Sequence, residues 1–172
     1  LECFEIVFNL FGARPMRHIS GHLPSSLLEL ALGGNQFDVA GAKVLAGRLP
    51  RLKKLDSLVL VNAGLGDDEW EALAPGLAAL PALGTLEANN FLLGDDSISE
   101  RSGEAHLEFF GKLENRLGDK GAVALCEALP GKLGSSGKCG YMILEGPVMD
   151  DGIKALQAAM KTSKIGLCRV YT

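Results

Sequence analysis

The chain has 172 residues, 47% of them hydrophobic and 22% charged, which suits one globular domain with a continuous core and excludes a disordered chain. The net charge of −4 argues against nucleic acid as a partner, because a phosphate backbone selects a basic surface. No apolar run is long enough to span a bilayer, so a direct membrane span is not expected either.

The first element predicted is a short strand. Leu1, Phe4, Ile6 and Asn9 fit the spacing L-x-x-L-x-L-x-x-N, with Phe11 following. Beyond it, His18 and His22 stand four apart, the spacing of a helical metal pair. No glutamate or third ligand accompanies them, so an ordinary surface or half-buried role is the better reading. The pattern then returns without a mismatch at Leu27, Leu30, Leu32 and Asn35. Phe37, Gly41, Ala42, Leu45, Ala46 and Leu49 follow before Pro50. Alternate apolar residues predict a strand with one face inward. The asparagine marks the turn, where its amide can satisfy backbone groups left unpaired. Val39 to Leu49 carries helical spacing.

Arg51 to Lys54 is the densest basic stretch and is too short for a nucleic-acid footprint. The third unit runs through Leu55, Leu58 and Leu60, with Ala63 at the asparagine position and Leu65, Leu73, Ala74 and Leu77 behind. Trp70 falls at the start of its helix. Packing among the helices competes there with a role as an exposed contact for a partner, since tryptophan is enriched at binding hot spots. Leu83, Leu86 and Ala88 open a fourth unit, with Phe91 at the asparagine position and Leu93 next. Residues 94–106 then replace the expected helix with a polar stretch that reads as an irregular insertion, and Arg101 within it is a candidate loop contact. A fifth unit ending at Asn115 would place Leu107, Phe110 and Lys112 inward, and a buried lysine is costly. Leu117, Asp119, Gly121, Ala122, Leu125 and Leu129 continue it.

Residues 131–140 form a Gly/Ser/Lys-rich loop. It is not a phosphate loop, because Lys132 stands where the first glycine belongs and Cys139 where Ser or Thr would hold magnesium. A strand near Tyr141 to Leu144 leads to Gly146 at the sixth position, then Val148, Asp150, Gly152, Leu156 and Met160. Ile165 to Tyr171 reads as one more strand, an exposed edge unless something covers it. The six marker positions, 9, 35, 63, 91, 115 and 146, are spaced by 26, 28, 28, 24 and 31 residues. Asp67–Asp68, Asp95–Asp96 and Asp150–Asp151 each fall four and five places after a marker, as Asp119 falls four after Asn115. Carboxylates there suit the free N–H groups at a helix start better than a calcium site.

This pattern resembles the leucine-rich repeats of ribonuclease inhibitor and of the sensor proteins that share its long repeat, over Leu23 to Leu80 and Asn115 to Met160. The resemblance implies an α/β fold: a curved solenoid of about six repeats with an irregular middle, parallel strands on its concave face and helices on its convex face. It also implies a single solenoid domain over 1–172, forming part of a longer chain, with protein binding and no catalytic residues. The concave positions are Glu5 and Val7; Glu29 and Ala31; Ser57, Val59 and Val61; Thr85, Glu87 and Asn89; and Met142 and Leu144. Several are apolar, and a contiguous apolar patch marks an interface.

The expected function is therefore a non-catalytic protein–protein interaction module, an accessory or scaffold subunit of a larger assembly. A recognition, sensor or inhibitor repeat domain of a multidomain protein is the alternative. No nucleophile set, acid–base pair, metal set or cofactor loop is evident. Cys3, Cys126, Cys139 and Cys168 form no C-x-x-C pair and are expected as reduced, mostly buried thiols. With no glycosylation acceptor and no signal pattern, an intracellular location is expected. The cytoplasm is the default, with an organelle as the alternative because a leader could have preceded Leu1.

Overall fold

The computed structural model describes residues 1–9, 13–88, 115–128, 140–145, 148–162 and 165–171. They form an α/β fold in which short strands alternate with helices. The order is β1 (Cys3–Glu5), α1 (Ala13–His22), β2 (Glu29–Ala31), α2 (Val39–Arg48) and a 3-10 turn (Leu49–Arg51). It continues through β3 (Ser57–Val59), α3 (Asp67–Ala78), β4 (Thr85–Ala88), α4 (Asp119–Ala128), β5 (Gly140–Glu145), α5 (Asp150–Thr162) and β6 (Ile165–Tyr171). The six strands lie side by side in chain order, each pairing in parallel with the next. The helices pack in the same order, α1 on α2, α2 on α3, α3 on α4 and α4 on α5, and so make a second layer.

The register follows the sequence spacing. Leu30 pairs with Leu58 and Leu58 with Leu86, each step 28 residues along. Period-two alternation then sends one row of β2, β3 and β4 inward. Leu30, Leu32, Leu58, Leu60, Leu86 and Ala88 are all essentially inaccessible to solvent. They meet Leu45, Leu49, Leu73, Leu77, Leu117 and Leu125 in one core that runs through the successive units. The helices approach closely where small residues allow it. A side chain on Gly76 of α3 would lie 2.5 Å from the Ala46 backbone of α2.

Two buried asparagines close the turns after the strands. Asn35 Nδ2 donates to the carbonyls of Leu32 and of Ile6 in the preceding unit, both at 2.8 Å, and its Oδ1 accepts from Asn9 N at 3.0 Å. Asn115 makes the matching set two units along. Its Nδ2 donates to Ala88 O at 2.9 Å and to Leu60 O in the preceding unit at 2.8 Å. Its Oδ1 accepts from Ala63 N at 3.2 Å and Leu65 N at 3.0 Å.

That equivalence corrects the expected unit boundaries. Leu32 and Leu60 lie three residues before the markers Asn35 and Ala63, and Ala88 stands in the same relation to position 91. Asn115 therefore fills the place assigned to Phe91, and it does not end a fifth unit of its own. The sheet agrees, because β4 pairs directly with β5. Thr85 faces Tyr141, which is 56 residues, or two 28-residue steps, further on. The expected insertion at 94–106 and the expected inward row at Leu107, Phe110 and Lys112 lie outside the described residues.

Candidate binding face

One face of the sheet carries the helices. The opposite face is covered by no element among the described residues, and it presents the outward rows of the strands. The first row runs Cys3, Glu29, Ser57, Thr85 and the second Glu5, Ala31, Val59, Glu87, as the pairing aligns them. Glu5 and Glu29 are exposed, and Ser57, Val59, Thr85 and Glu87 are half-buried. Ala31, between Glu5 and Val59, is small enough for its neighbours to cover, and only 7% of it is accessible. Val7 and Val61 extend the face past the strand ends and are half-buried. Between them, Gly33 lets the chain approach Val61 so closely that a side chain would lie 2.6 Å from the Val61 carbonyl oxygen.

At the rim, Phe8 is 56% exposed and adopts a left-handed φ of 55°. A non-glycine residue takes that conformation only at a cost. Its ring lies over Gly34, whose own φ of 67° suits glycine and where any side chain would strike the Phe8 ring.

Three expected site residues are placed differently by the structure. Met142 aligns with Leu86 and Leu144 with Ala88, the positions of the inward row, while Tyr141 and Ile143 align with Thr85 and Glu87. The cause is a shorter turn. Asp67 and Asp119 begin their helices four residues after Ala63 and Asn115. The strand register carries the equivalent position to residue 147, only three before Asp150. Counting back from that helix slips the strand by one residue, and a one-residue slip exchanges the two faces. The third is Trp70, which is not an exposed contact but 1% accessible, held between α3 and α4. It fits because its neighbour on α4 is Gly121, where a Cβ would lie 3.1 Å from the Trp70 Cβ. Asn89 and Arg101 lie outside the described residues.

The register of Tyr141 with Thr85 follows from a 56-residue step that was there to be counted in the sequence.

The electrostatics of the face are acidic. Glu5, Glu29 and Glu87 lie on it, and β1 to β4 contribute no cation to the rows they form. Cys3 is exposed on β1. Loss of solvation against the sheet raises its thiol above the ordinary value, and the carboxylates of Glu29 and Glu5 raise it further. Such a thiol is a poor nucleophile near neutral pH. His18 and His22 are exposed on α1, where His22 Nδ1 lies 2.7 Å from the His18 carbonyl oxygen. Among the described residues no group of three or more His, Cys, Asp or Glu side chains converges as metal ligands would. No helix there is long and apolar enough to cross a membrane.

No family model matches the chain, and no curated protein is similar to it at a significant level.

Proposed function

We propose that the chain is a leucine-rich-repeat solenoid of the ribonuclease-inhibitor type and acts as a non-catalytic protein-binding module through its open sheet face, as an accessory or scaffold subunit of a larger assembly. One observation carries this reading. A parallel sheet is ordinarily covered on both faces, yet among the described residues this sheet is covered on one alone. The uncovered face combines Val7, Val59 and Val61 with Ser57, Thr85 and the carboxylates of Glu5, Glu29 and Glu87. An apolar centre with a polar surround suits a protein surface better than a small molecule.

Sequential strands and sequential helices, 28-residue register steps and an asparagine shared between adjacent units support the solenoid. The test is a pair of variants. Ser57→Arg combined with Val59→Arg places two large cations on half-buried positions of the face, while Lys53→Glu alters an exposed loop elsewhere. The chain, crosslinked and purified from its native source, is expected to lose its bound protein in the double variant and to keep it in Lys53→Glu. Circular dichroism should be unchanged in both. Retention of the same partner by the double variant would place the binding surface elsewhere.

A further inference from the structure

We draw no further inference here: the strongest candidate, the open groove between α2 and α3 that Val39, Lys43, Ala72 and Pro75 line, carries none, because the carboxylates on its α3 wall, Asp68 and Glu71, already hold Lys120 of α4 and nothing in the structure shows what covers the rest.

Discussion

A carboxamide suits the place held by Asn35 and Asn115 because it offers donors and an acceptor at once, and both are needed there. Two carbonyls and two amides from adjacent units converge on Asn115, which is 1% accessible. Water cannot replace a partner at that depth, so each group left unpaired costs about 1–3 kcal/mol. Asn115→Ala is therefore expected to lower the urea-unfolding free energy by about 3 kcal/mol or more. Asn115→Asp should do no better, since a carboxylate donates nothing to Leu60 and Ala88. Cys3 offers a prediction at the same scale. With its thiol raised above the ordinary value, less thiolate is present at a given pH. The pH profile of alkylation should have its midpoint above that of a free thiol, and Glu29→Gln should move that midpoint down and speed alkylation at pH 8.

At the scale of elements, the sequence was legible wherever its period held. Leu27 to Leu49 and Leu55 to Leu77 show strand and helix alternation, and both were found in place. The unit boundaries after Ala88 were not legible. Asn115 looked like the end of a new strand because an L-x-N ending is local, whereas its true partners, Leu60, Ala63 and Ala88, are remote in sequence. The outward row on β5 failed for a different reason, since one missing turn residue is invisible in a pattern that tolerates spacing changes. The corrected boundary makes a prediction. Deleting residues 91–114 joins Asn90 to Asn115, which sets the asparagine three residues after Ala88 and restores L-x-x-L-x-A-x-x-N. The shortened chain is expected to fold with its thermal midpoint within about 5 °C of the parent, because the cost of closing a chain segment between fixed ends varies only slowly with its length. A calorimetric scan checks this, and loss of the cooperative transition would show that the segment belongs to the core.

Across the whole molecule, charge is sorted along the helices. Asp38, Asp67, Asp68, Asp119, Asp150 and Asp151 gather at helix starts, while His22, Arg48 and Lys161 lie in last turns, with Arg51, Lys53 and Lys54 just beyond α2. Where these side chains lie, the charge meets the helix dipole with the favourable sign, whereas α1 has no acidic residue in its first turn and α3 and α4 have no basic one in their last. Asp67 ties this arrangement to cooperativity, because its Oδ1 accepts from Gly118 N at 2.8 Å and Gly121 N at 2.9 Å, both at the start of α4. Asp67→Ala is expected to cost about 1–2 kcal/mol and to speed hydrogen exchange in α4 and α5, while α2 amides exchange as before. Equal acceleration in α2 would mean that the units do not respond separately.

The two ways of closing a helix start also set an order in time. The amides that open α2 and α3 are met within their own units, Gly41 N by Asp38 at 2.6 Å and Gly66 N by Glu69 at 3.1 Å. Those that open α4 and α5 wait for a carboxylate from the helix before. Dependence therefore runs one way, from the amino-terminal half toward the carboxy-terminal half. A ribosome delivers the chain in that same direction, so each helix that needs a template emerges after the template has been made.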